Sequence, residues 1–298
     1  LSSPSRPAPL RVFGEDFLRF LEPGVDRLEA LQGMLARRGL SGRILAIAGR
    51  RHLLVKKGGG RPRVVLVAHY DRVEGSPGAL DNSAACLVLA NVAQRVQGSP
   101  DTGGTFILFT DGEEAPATEG PLAQGAYALG LGLKAILGEA VPAILVLDVV
   151  GRGSRLLLSS ASRGMLDRTG EDRLLPDLVR LEAELRAAAE RAGLAEPLSL
   201  PLPWSDDLGF VLAGLPAIEA TLLPEGEARL YSRAMTRSAR PLSSRGFGAA
   251  WPRTWSLLHG REDEIGLLDA EALATIEGFC LEFCGGHRGG GIGAAASL

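Results

Sequence analysis

"VVLVAHYD", residues 64–71, decides how the rest of the chain is read. A run of β-branched and aliphatic residues stops at His69, and Asp71 follows two positions later. A short, continuously apolar run predicts a strand covered on both faces, the kind that builds parallel sheets. Ending such a strand on an imidazole and a carboxylate has two readings. Either the chain leaves the core for a surface loop, or the strand delivers metal donors to the edge of the sheet.

The flanking sequence repeats the pattern. "TFILFT" (105–110) and "AILVLDVVG" (143–151) are further buried strands, "AIEATLL" (217–223) is a strand, and "RLLLSS" (155–160) is a short one. "ILAIAG" (44–49) and "HLLVKK" (52–57) predict a hairpin turned at Gly49-Arg50-Arg51. Helical spacing runs over 13–40, interrupted at Pro23 and Gly24, and over 121–138, 174–193 and 269–284. A helix over 81–97 would be entered at Asp81 or Asn82, both good N-caps. Residues 224–254 show no clear periodicity and read as a long loop. Strands alternating with helices predict an α/β sandwich around a largely parallel sheet, in one domain.

Composition narrows the class. With 46% hydrophobic and 22% charged residues, the chain can bury a large core. A net charge of −3 offers no nucleic-acid footprint. No apolar run reaches the roughly 18 residues of a membrane span. "LSSPSRPAPL" at the start has no basic segment followed by an apolar one, so no secretory signal is read, although an initiating Met is also missing. The three cysteines, Cys86, Cys280 and Cys284, make no disulfide framework and fit a reducing, cytoplasmic setting. Cys280 and Cys284 lie one helical turn apart and read as core residues rather than as a zinc site with His287.

Three buried strands end in the same chemistry. The first stops at His69, the second runs into Asp111-Gly112-Glu113-Glu114, and the third ends at Asp148. Asp81 stands at the entry to the helix after the first strand. Ligands in open α/β sheets bind beyond the carboxyl ends of strands, so these groups would meet in one crevice. Mixed imidazole and carboxylate donors suit zinc, and carboxylates crowded together need a cation. A second histidine is available in His259.

With those residues in place, the sequence resembles the M28 zinc aminopeptidases. The motifs that carry the likeness are "HYD", "GALDNSAA", "DGEEA", "VLDVVG", "WSDDLGF" and "LLHGRED", in the family's order over residues 69–263. The resemblance implies a three-layer α/β/α sandwich with a mixed sheet, as a single zinc-peptidase-like domain over 1–298, its ends 1–10 and 286–298 flexible. It implies two zincs, one held by His69 and Asp148, the other by Glu114 and His259, with Asp81 bridging. Glu113 would be the general base, with Asp71 orienting His69, and Asp206 and Phe210 would face the substrate, a peptide with a free N-terminus. No membrane or nucleic-acid partner is expected, and oligomeric state is not legible. Asp207 stands where the family often has His, and Gly260 where Thr is usual. "AHYD", "DGEEA" and "LDVVG" also resemble the related glutaminyl-peptide cyclotransferases. There Asp81, Glu114 and His259 would hold a single zinc, Glu113 would shuttle protons, and Asp148 and Asp206 would bind or activate the substrate. A catalytically inactive binding protein on the same fold is the third possibility.

Overall fold

The computed structural model describes residues 13–57, 60–99, 104–114, 119–138, 141–169, 173–237 and 250–286. The expected tails, apart from Gly286 at the end of the last helix, and His287 lie outside these residues. Two short helices, α1 (Glu15–Phe20) and α2 (Arg27–Arg37), flank the Pro23-Gly24 break. Strands β1 (Arg43–Ile47) and β2 (Arg50–Lys57) form the antiparallel hairpin. Then come β3 (Val64–His69), α3 (Ala84–Gly98), β4 (Thr105–Thr110), α4 (Gly125–Leu137) and β5 (Ala143–Leu147). Beyond them are β6 (Arg155–Ser159), α5 (Ala161–Thr169), α6 (Leu175–Arg191), β7 (Leu198–Leu200), α7 (Asp206–Leu212) and β8 (Ala217–Leu223). The helices α8 (Glu225–Arg237), α9 (Arg253–Ser256) and α10 (Ala270–Gly286) end the described chain.

All eight strands join one mixed sheet in the order β1-β2-β4-β3-β5-β8-β6-β7. The central strands β4, β3, β5 and β8 run parallel, so their carboxyl ends share one edge. Every residue of β3, β4 and β8 is buried, as expected for strands with helices on both faces. The crossover through α3 steps from β3 to β4, and the one through α4 steps back past β3 to β5. Right-handed crossovers in opposite directions put these helices on opposite faces. Accordingly α3, α6 and α10 pack together as one layer, and α4 packs on α7 as the other. Cys280 and Cys284 are buried on α10, and all three cysteines are free. No helix among the described residues is long and apolar enough to cross a membrane.

Two local expectations need correction. Neither Asp81 nor Asn82 caps α3. The backbone at both is non-helical, within a wide turn over Ala79–Ser83, and α3 begins only after it. The segment read as a long loop begins instead with α8. Its helical signal rests on three residues, Ala228, Tyr231 and Met235, set among Glu and Arg and packed on a second small core.

Candidate metal centre

The turn that follows β3 is built to present one carboxylate. Gly78 enters it at φ +63, where a Cβ would lie 2.8 Å from the Asp81 carbonyl oxygen. Buried Asp263, far along the chain, accepts N–H bonds from Leu80 (2.6 Å) and Asp81 (3.1 Å). Asn82 Nδ2 donates to the Leu147 carbonyl at 2.8 Å, tying the turn to the end of β5, next to Asp148.

Held this way, Asp81 reaches two histidines with its two oxygens. Its Oδ1 lies 3.1 Å from His69 Nε2 and its Oδ2 3.0 Å from His259 Nε2. Asp148 Oδ1 approaches His69 Nε2 at 3.6 Å, and Glu114 Oε2 approaches His259 Nε2 at 3.6 Å. Donor atoms therefore converge in three groups: His69–Asp81–Asp148 and Asp81–Glu114–His259, which share Asp81, and His69–Glu113–Glu114. Behind them, Asp71 Oδ1 faces His69 Nδ1 at 3.5 Å. Its carboxylate also accepts the N–H groups of Glu113 (3.4 Å) and Glu114 (3.0 Å). Asp71 thus positions the backbone of the paired glutamates and stands behind the imidazole. Glu113 lies at the cavity wall, its Oε1 held at 3.3 Å by Gln124 Nε2.

The protonation pattern follows from burial and crowding. Burial lowers the His69 imidazole, but Asp148, Asp71 and Asp81 around it outweigh this and raise it well above its ordinary value. The carboxylate of Asp81 chiefly raises His259, to about 9, against the opposing effect of burial. Asp81 itself is opposed by burial, yet His259 and His69 hold it well below the usual carboxylate range. Burial lifts Glu114 to about 8, with Asp81 adding to the shift. Glu113 is raised well above its ordinary value by burial, against His69 and reinforced by Asp148, Asp206 and Asp81.

The donor set fits zinc. His69 Nε2, Asp148 Oδ1 and Glu114 Oε1 are buried and have no hydrogen-bond partner among the described residues. Buried atoms without hydrogen-bond partners, within mixed nitrogen and oxygen groups, are what a zinc site offers its ion.

All seven residues expected at the strand ends and in the histidine loop, His69, Asp71, Asp81, Glu113, Glu114, Asp148 and His259, meet at the carboxyl edge of the sheet. The two residues expected to face the substrate do not line the cavity. Phe210 is fully buried in the main core, where α7 packs on α4. Asp206 is also fully buried, accepts a hydrogen bond from Thr110, and is raised by burial to about 7. Asp206 opens α7 and Phe210 lies one turn further on, so the motif "WSDDLGF" was legible but the direction of its side chains was not. Asp263, Gln124 and Glu219 escaped the sequence reading. Only Glu219 left a signal, as the lone charge in "AIEATLL".

Above the donors lies a cavity of about 650 Å³. Asp81, Glu113, Glu114, Asp148 and His259 face it, as do the aromatic residues Trp204, Trp251 and Trp255.

Residues 53–284 match the model of peptidase family M28. The chain belongs to peptidase family M28. Solved structures share its fold at low identity. A glutaminyl cyclase of Bacteroides thetaiotaomicron, with N-acetylhistamine bound, is 18% identical with a TM-score of 0.64, over 91% of this chain and 96% of that one. A leucine aminopeptidase precursor from Bacteroides thetaiotaomicron VPI-5482 is 18% identical with a TM-score of 0.63, over 91% and 95%. A Zn-dependent exopeptidase from Parabacteroides distasonis ATCC 8503 is 17% identical with a TM-score of 0.61, over 91% and 94%. No curated protein sequence matches this chain significantly. Zinc is the metal that membership of M28 and the donor set both support.

Proposed function

We propose that this M28 chain is a two-zinc aminopeptidase that hydrolyses the first peptide bond of a peptide with a free N-terminus. The observation that carries this reading is the Asp81 carboxylate, one oxygen toward His69 and the other toward His259, each within 3.1 Å. A carboxylate so placed is suited to bridging two ions. His69 and Asp148 would complete one site, and Glu114 and His259 the other. When bound, the zincs supply Lewis acidity toward the scissile carbonyl and acidify the attacking water.

The chain's own residues do the rest. Glu113 accepts the proton of the attacking water and returns it to the leaving amine, since its carboxylate sits at the cavity wall beside the donors. Gln124 holds that carboxylate in place, and Asp71 fixes the backbone that carries it. Asp263 keeps the Asp81 turn aimed at the centre without touching the reacting atoms.

A one-zinc glutaminyl-peptide cyclotransferase is the second reading. It is favoured by one observation: Asp81, Glu114 and His259 make a complete three-donor group without His69. A peptide led by glutamine separates the two. The aminopeptidase frees glutamine and shortens the peptide. The cyclotransferase releases ammonia and leaves a blocked peptide of unchanged residue count. Ammonia release without free glutamine would overturn the aminopeptidase reading.

A further inference from the structure

Among the carboxylates that line the cavity, Asp81, Glu113, Glu114 and Asp148 each belong to a donor group around His69 or His259, whereas Glu219 belongs to none. It is a charged residue in the middle of β8, whose other residues are all apolar or Thr and all buried. Only 4% of Glu219 is exposed, and its Oε2 has no hydrogen-bond partner among the described residues. Its charged neighbours are acidic. Burial lifts it well above its ordinary value, and Asp207, Asp148, Glu113 and Asp81 add to that. A buried carboxylate among other carboxylates gains most from a cation brought to it.

The cavity that Glu219 lines also has aromatic walls. Trp251 and Trp255 stand 5.1 Å apart between ring centroids, and Tyr231 packs edge-on against Trp255 at 4.9 Å, which braces the pair. Trp204 faces the cavity with 61% of its surface exposed. Aromatic rings and an unpartnered carboxylate lining one cavity suit a cation: rings attract the charge and cover an apolar stem, and the carboxylate can receive N–H donors.

We propose that Glu219, with Trp204, Trp251 and Trp255, forms a side-chain subsite for a cationic N-terminal residue, arginine or lysine. The inference deepens the aminopeptidase reading and rests on it for the placement of the peptide. If three of the other carboxylates are committed to zinc and Glu113 to proton transfer, Glu219 is left to recognise substrate.

The test uses argininol and leucinol, which keep the α-ammonium group, cannot be hydrolysed, and differ in the side chain. Their binding to the zinc-loaded full chain is measured by calorimetry, for the unaltered protein and for Glu219→Gln. A hydrogen-bonded charge pair sets the scale: argininol should bind roughly ten- to a hundredfold tighter than leucinol, and Glu219→Gln should remove most of that ratio. Trp204→Ala, at an exposed position that leaves the core intact, should lower the same ratio by about threefold, the scale of one cation–π contact. Equal affinity for the two ligands in the unaltered protein would overturn the proposal. So would an equal loss for both in Glu219→Gln, which would assign Glu219 to the α-ammonium group. Peptide cleavage is scored separately. If neither arginine-led nor leucine-led peptides lose their first residue, the aminopeptidase reading falls, while the argininol-to-leucinol ratio still decides the subsite.

Discussion

The two halves of the metal centre are built differently. His69 ends a buried strand, its side chain is fully buried, and Asp71 stands behind its second nitrogen. His259 sits on a loop in left-handed backbone (φ 63), with 58% of its side chain exposed. One half is set by the sheet, whose register cannot slip without turning core residues outward. The other depends on a loop that must come back over the sheet edge. The difference teaches that the sheet fixes one half, the loop leaves the other open to the cavity, and Asp81 faces the histidines of both.

Removing the coupling should cost most. Asp81→Ala takes a donor from both groups, so activity should fall at least about a thousandfold, the scale of several kcal/mol of charge stabilisation at the reaction centre. Elemental analysis should then find fewer than one zinc per chain. Retention of full activity would break the account of Asp81 as the shared donor.

The halves should also differ in what they lend to the metal-free fold. His69→Ala leaves Asp71, Asp81 and Asp148 crowded without their buried cation, and urea titration should show a loss of roughly 3 kcal/mol. For His259→Ala, on the solvent side, about 1 kcal/mol or less is expected. Equal losses would mean that the rigid and open halves are not distinct.

Asp263→Asn tests the clamp on the Asp81 turn. The variant weakens the acceptor pair for Leu80 and Asp81 without touching any donor to the metal. Supporting groups of this kind commonly matter by about 10–100-fold in metal affinity or activity, and zinc affinity measured against a competing chelator should fall by that order. No change would show that the turn holds itself.

The smallest effect concerns pH. His259 is raised to about 9 and Glu114 to about 8 in the folded chain. Both bind protons more tightly folded than unfolded, so their contribution to stability is full below the unfolded values and is lost as pH rises through 8 and 9. Asp81 works in the opposite sense at the acid end: its contribution is lost as pH falls below the usual carboxylate range. Metal-free protein should therefore lose a few degrees of Tm between pH 6 and pH 9. Zinc affinity should rise over the same interval, because the ligands bind zinc when deprotonated. A flat metal-free profile would contradict the assigned coupling between His259, Asp81 and Glu114.

Much of this was legible in the sequence, for a physical reason. Short continuous apolar runs rich in β-branched or aromatic residues, such as "VVLVAH" and "TFILFT", favour covered strands, and the residues just after a parallel strand lie at its carboxyl edge. The donors at the ends of β3, β4 and β5 could thus be placed together from the sequence alone. The features that stayed hidden depended on the direction of side chains. Asp81 looked like a helix cap because short acidic residues before a helix usually are, but the turn opens and points it at the histidines. Phe210 follows a motif tied to the substrate, yet helical periodicity turns it inward against α4. Asp263 serves Asp81 from 182 residues away, a pairing that no local pattern records. Glu219 was visible as a lone charge in an apolar strand, and only the cavity around it shows why that charge could matter.

The proposed joining of two zinc sites by Asp81 is what the chemistry above depends on. Its most direct test is the zinc content of the intact chain, reconstituted with excess zinc, exchanged into metal-free buffer and measured by elemental analysis. Two zincs per chain are predicted, falling to one in His259→Ala. One zinc in the unaltered chain would contradict the shared-donor account and favour the single-site chemistry built on Asp81, Glu114 and His259.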